Sequence, residues 1–189
     1  KRTLDLDLVA YGEFYRKLDK AYRYGFSFIF DIAVNPATDE WWIVGQRQFS
    51  NKTTNMFVWS SLLVIFDKGL NVKKFIEYPQ GHENYLGELF GICFDNNGDT
   101  YVVGRYGVAK FDKYGNTLVI RKGVGGLLGE AKIACVGGRV YVFAQNLYDG
   151  KYMRHILYVL DKELNLLGTY ILSKKVEANS WFSIGKPAF

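Results

Sequence analysis

The side chains that could do acid–base or metal chemistry are few and scattered. His82 lies in Gly81-His82-Glu83-Asn84 and His155 begins an apolar run. A hydrolytic centre or zinc site needs several such groups converging at fixed spacing. The chain has no His-Glu-x-x-His, no nucleophile elbow, no phosphate loop and no Cys-x-x-Cys. Both histidines therefore read as polar surface residues. Asp95-Asn96-Asn97-Gly98-Asp99 looks faintly calcium-like but lacks the long loop and its terminal Glu, so a hairpin turn is expected there. Two cysteines are too few for a disulfide framework or a zinc site. They sit at matching places, Ile92-Cys93-Phe94 and Ala134-Cys135-Val136, which points to buried, inert thiols where strands pack closely. Asn51-Lys52-Thr53 is a formal glycosylation acceptor of a kind that often occurs by chance.

What does recur is a set of polar residues at strand ends. Tyr11, Gln46, Arg105 and Gln145 each follow a Gly or Ala that ends an apolar stretch. Glu88 and Glu130 recur in Leu-Gly-Glu before the next stretch, with Glu177 loosely similar. Two connections are long, Arg47 to Phe57 and Asn146 to Arg154, the second with the turn Tyr148-Asp149-Gly150-Lys151. Together Tyr11, Gln46, Arg47, Glu88, Arg105, Glu130, Gln145 and Tyr148 would form a rim able to bind a polar ligand through directed hydrogen bonds. The structural alternative, and the favoured one, is that Glu88 or Glu130 simply pairs with Arg105. For the long connections, extended hairpins with exposed tips and the walls of a binding cleft are both open.

The elements that must position these residues come in a repeat. Leu18-Asp19-Lys20, Phe66-Asp67-Lys68, Phe111-Asp112-Lys113 and Leu160-Asp161-Lys162 each end an apolar run in a turn, at Asp-to-Asp spacings of 48, 45 and 49 residues. Joining the end of the chain to its start gives a fourth spacing of 47. Each repeat reads as four strands. First strands are Phe30 to Val34, Phe90 to Phe94, Lys132 to Val136 and Trp181 to Gly185. Second strands are Leu6 to Ala10, Trp41 to Gly45, Thr100 to Gly104 and Val140 to Ala144. Fourth strands are Val72 to Ile76, Leu118 to Arg121 and Thr169 to Leu172. The C-terminal end supplies a first strand with no second, and the N-terminal end a second strand with no first. Pairing them would close a ring in one shared sheet.

Four-stranded repeats of roughly 40–50 residues imply an all-β β-propeller. The stretch from Gly91 to Gly104, with Asp95-x-x-Gly98 and Tyr101-Val102-Val103, followed by Gly107-Val-Ala-Lys-Phe111-Asp-Lys-Tyr-Gly115, resembles an NHL-type propeller repeat, and more loosely a WD-type one. The likeness is good over that repeat and looser in the others. It implies a single domain over 1–189, with four-stranded blades at 178–189 plus 1–25, 26–80, 81–125 and 126–177. The alternative is a slice of a larger propeller. The family includes protein-binding, RNA-binding and enzymatic members, so the resemblance implies a fold and leaves the activity open. The leading expectation is a non-enzymatic scaffold that presents a loop-rimmed face to a protein partner, or to a small polar ligand, with no cofactor. The runner-up is a hydrolase similar to the calcium-dependent lactonases, for which Glu88, Glu130 and Asn179 would be the metal ligands and a metal-polarised water the nucleophile. A third reading is an RNA-binding propeller.

Bulk composition agrees with a packed domain: 49% apolar and 23% charged residues over 189 positions. Aromatics reach 17%, which favours strands. The net charge of +5 is mild. Lys73-Lys74, Arg121-Lys122 and Lys174-Lys175 fall on fourth strands, where lysine guards a sheet edge, and nucleic acid is the less favoured partner. No apolar run approaches the roughly 18–20 residues of a membrane span. The N-terminus lacks a signal-peptide layout and a Met, so the chain is expected to be a processed, tag-cleaved or partial form. The compartment stays open.

Overall fold

Runs of β-branched and aromatic residues, cut by turns rich in Gly, Asn and Asp, form strands; no helix occurs among the described residues. The computed structural model describes residues 25–51, 56–126, 131–148, 152–172 and 176–177. The expected N-terminal and C-terminal strands, the Leu18-Asp19-Lys20 turn, Tyr11, Glu130 and Asn179 lie outside them.

Three antiparallel sheets follow one another, each ordered as its strands occur in the chain. The first holds β1 (Phe28–Val34), β2 (Trp41–Asn51), β3 (Met56–Phe66) and β4 (Val72–Pro79). The second holds β5 (Leu89–Phe94), β6 (Thr100–Gly104), β7 (Gly107–Phe111) and β8 (Thr117–Lys122). The third holds β9 (Ala131–Val136), β10 (Arg139–Tyr148), β11 (Tyr152–Leu160) and β12 (Leu166–Ile171). The short β13 (Val176–Glu177) pairs with the start of β11, in line with β12. Four strands per repeat is what the turn spacing predicts. The β6 boundaries agree with expectation, whereas β2, β10 and β11 run several residues further into what read as loops.

The leading strands β1, β5 and β9 lie side by side, with β5 in the middle. Two apolar clusters join the sheets. Trp42, Val44, Leu63 and Ile65 of the first pack against Leu89, Ile92, Val102 and Phe111 of the second. On the other side Tyr101, Val103 and Val108 meet Ile133, Val142, Ala144 and Leu160 of the third. Being covered on both sides, β6 and β7 are buried at every residue, and their sequences are unbroken apolar runs apart from Thr100 and Lys110. A third cluster, Phe26, Ile43, Leu62, Val64 and Phe66, is buried on the side of the first sheet turned away from the second.

Polar ties reinforce these contacts. The buried Asn35 side chain donates to the Gly98 carbonyl at 2.8 Å, and the Ile92 N–H donates to the Asp31 carboxylate at 3.1 Å, linking β1 to β5. Between the second and third sheets the Tyr101 hydroxyl donates to the Lys162 carbonyl at 3.2 Å and Arg121 to that of Leu164 at 3.1 Å.

The cysteines depart from expectation. Cys93 on β5 and Cys135 on β9 form a disulfide with Cα atoms 5.7 Å apart, and no described cysteine is a thiol. The reason is geometric. Equivalent positions on neighbouring leading strands are neighbours in space, so a matching pair of small residues can become a covalent staple.

The repeated Asp turn closes identically three times. In each copy the Asn N–H donates to one carboxylate oxygen of the Asp and its side-chain amide to the other: Asn71 on Asp67 (2.8 and 3.1 Å), Asn116 on Asp112 (2.7 and 2.7 Å), Asn165 on Asp161 (2.7 and 2.9 Å). The residue before the Asn is left-handed, φ +64° at Leu70, +80° at Gly115 and +62° at Leu164. Leucine accepts that strained conformation at 164 because its side chain is buried in the core between the second and third sheets. Burial raises the Asp112 carboxyl, but the donors from Asn116 and Tyr114 outweigh it and hold the group below its ordinary value. Asp161 is lowered chiefly by the Asn165 side chain. A depressed carboxylate contributes stability that is fully present above the unfolded-state pKa and is lost as pH falls through the folded one. Asp112→Asn with Asp161→Asn should therefore lower the thermal midpoint at neutral pH and flatten its decline below the ordinary carboxylate range. An acid limb as steep as the parent's would refute this.

Candidate functional site: a cleft between two hairpins

At one edge of the sheets the connections differ sharply in reach. The β6–β7 turn is only Arg105-Tyr106. The β2–β3 hairpin stays paired out to Asn51 opposite Met56, and β10–β11 out to Tyr148 opposite Tyr152. These hairpins belong to the sheets on either side of the second, so they rise as two walls with the short turn between them. The long connections are thus hairpins.

The floor is built around Glu88 and Arg105. The Arg105 guanidinium grips the carboxylate through Nε (2.5 Å) and Nη2 (2.7 Å), a two-point ion pair. Backbone bonds set it: the Arg105 N–H donates to the Glu88 carbonyl and the Tyr106 N–H to that of Leu86, both at 3.0 Å. Gly87 makes room. Its φ is +75°, and a Cβ there would lie 2.7 Å from the Arg105 Cβ. The pairing of Glu88 with Arg105 is therefore as expected; Glu130 lies outside the described residues. Beside the pair the rings of Tyr85 and Tyr106 lie 5.9 Å apart. Burial, with Tyr106 and Glu88 close by, pushes the Tyr85 hydroxyl up to about 12. His82 stacks on Tyr78 at 5.0 Å, and its Nδ1 accepts the Asn84 N–H at 3.0 Å, a local turn contact.

Strand parity decides what the walls show. Residues directly opposite one another share a side, so Gln46, Gln48 and Trp59 lie on the side facing the second sheet with Trp42 and Val44. Trp59 packs on Phe28 at 6.5 Å, and Phe57 is 68% exposed on the same side. On the opposite wall the Asn146 amide donates to the Tyr158 hydroxyl at 2.7 Å.

The rim expected from sequence is only partly assembled. Glu88 and Arg105 come together at the floor. Gln46 and Gln145 are buried inside strands, and the Gln145 amide lies 3.2 Å from His155 Nε2. The sequence marks them as strand ends; the strands instead run on past them as paired hairpins. Arg47 points to the other side of the first sheet from Gln46 and pairs with Glu77 at 3.3 Å. Tyr148 ends β10 at the wall's tip. Phe57 and Tyr106 are exposed and Tyr85 and Trp59 half-buried, and none of the four is singled out by the sequence. Phe57 and Trp59 stand two apart, hence on one side of a strand, and that aromatic pair is the signal for two of them.

Among the described residues no three His, Cys, Asp or Glu side chains converge as a metal site. No described helix is long and apolar enough to cross a membrane. The turns at the opposite edge leave a hollow of about 70 Å³ beside the disulfide, where Lys162 stands 3.4 Å from the Asp95 carboxylate. Set against known proteins, the chain matches no family model and no curated sequence.

Proposed function

We propose that the chain is a four-bladed β-propeller, similar to NHL-type propellers, and that it works as a non-enzymatic scaffold gripping a protein partner between its two long hairpins. The observation that carries the binding reading is the difference in reach: two paired hairpins flank a two-residue turn, where the exposed Tyr106 ring lies beside the half-buried Tyr85. Rigid aromatic anchors over a charge-neutral floor suit a peptide or protein surface. The neutralised cations favour this over RNA. Arg105 and Arg47 are each spent on a carboxylate, whereas backbone phosphates need unspent cations. The lactonase-like alternative would need Glu88 to leave Arg105, which holds both of its oxygens.

Ring closure is supported from two sides. Ile43, Leu62, Val64 and Phe66 are buried on the side of the first sheet that no other described sheet covers. Tyr141, Phe143 and Leu157 are half-buried on the corresponding side of the third.

The test is to replace residues 50–57 by Asn-Gly, and residues 147–153 likewise, then compare partners recovered with each protein. Loss of the same partner on shortening either hairpin is expected. Recovery of every partner with both shortened would defeat the scaffold reading.

A further inference from the structure

The outer strands of the three sheets are not alike. β4 carries Lys73 and Lys74 and ends in Pro79, and β8 carries Arg121 and Lys122, with Lys73 and Lys122 exposed. Charge and proline are the usual guards of an open sheet edge. β12 has neither. From Leu166 to Leu172 the chain reads Leu-Leu-Gly-Thr-Tyr-Ile-Leu, without a charged residue. Every residue of β12 except Gly168 is exposed, and Leu166, Leu167, Tyr170, Ile171 and the following Leu172 each keep 41–56% of their surface. No described strand lies along its outer side. An apolar patch of this kind marks a contact surface.

The backbone is set for pairing. The Leu172 N–H donates to the His155 carbonyl at 2.9 Å, and Tyr170 and Gly168 stand opposite Leu157 and Val159 in the same register. Alternation along an antiparallel strand then turns the backbone polar groups of Leu172, Tyr170 and Gly168 inward and those of Thr169 and Ile171 outward. What fits this edge is another uncharged strand, and a second copy of the chain supplies one by identity. Two identical strands laid antiparallel carry the same charge, so an edge with none pairs with itself without repulsion. We infer that β12 is a dimer contact, joined edge to edge with β12 of a second copy about a two-fold axis at Tyr170. That register sets Thr169 opposite the partner's Ile171 and brings the two Tyr170 side chains together, so the outward groups of both copies are used. The contact is isologous and closes at two chains. It is independent of the hairpin cleft.

Light scattering and sedimentation of the 189-residue chain, from about 1 to 500 µM, test this. The edge is short, so a dissociation constant of about 1–100 µM is expected, with mass rising to twice that of the chain and no further. Thr169→Pro removes an N–H that points away from β11, a place where an edge strand tolerates proline. It should weaken the dimer at least tenfold and leave the far-UV spectrum unchanged. A pair of double variants reads the register. Thr169→Lys with Ile171→Lys sets lysine against lysine and should abolish association, whereas Thr169→Lys with Ile171→Glu sets opposite charges together and should keep it. Both place two charges on the strand, so loss of apolar surface or of folding affects them alike. The inference is overturned if the parent stays monomeric at 500 µM, if its mass climbs past two chains, if Thr169→Pro dimerises like the parent, or if the two double variants associate equally. Shortening the two long hairpins should leave the dimer in place, so this contact and the cleft can fail separately.

Discussion

Replacing both Cys93 and Cys135 with alanine should lower the unfolding free energy by about 4 kcal/mol. The bridge spans 42 residues of sequence and encloses the last three strands of the second sheet. A loop of that length, left open, gives the unfolded chain far more conformations to lose. The native side is little changed, since both residues sit on strands already held by pairing to β6 and β10. Denaturant titration with and without a thiol reductant reads the effect. The parent protein should fall to the level of the double variant when reduced, and the double variant should not respond. Equal midpoints for the oxidised and reduced parent would show that the bridge contributes nothing. The distinction also bears on handling, because a protein purified under reducing conditions would be measured without its staple.

Trp42→Ala should cost about 3–5 kcal/mol, the usual penalty for emptying a large core site. Trp42 is fully buried, and it meets the Phe94 ring edge-on at 5.9 Å across the junction of the first two sheets. Trp42→Phe should cost much less than the alanine change. The indole N–H already lacks a hydrogen-bond partner, so phenylalanine gives up volume without breaking a bond. Urea midpoints of the two variants measure the difference. A phenylalanine variant as unstable as the alanine one would mean that the N–H is satisfied in solution.

The sequence shows best what is set locally and least what is set by parity and by neighbours. Thr100 to Gly104 could be bounded by eye because Asn97-Gly98 precedes it and Gly107 restarts the apolar pattern. The three Asp–Asn turns are likewise local, each closed by bonds between residues four apart. Gln46 to Asn51 is different. Those residues form strand because β3 pairs with them, and a hairpin standing clear of the core has no apolar alternation to betray it. Gln46 and Arg47 look like one polar dipeptide, yet the strand period of two sends them to opposite sides, one buried among core residues and one paired with Glu77. The disulfide was half visible. Cys93 and Cys135 hold matching positions in successive repeats, but only the side-by-side placement of β5 and β9 turns a match in sequence into proximity.

Phe30 and Phe90 have a consequence of their own. Each falls where the register of β1 or β5 slips by one residue, and their rings meet edge to face at 5.2 Å. Phe30, though on the first sheet, packs on the apolar cluster shared by the second and third, so one ring ties all three sheets together. Loosening at either junction would therefore be felt at the other.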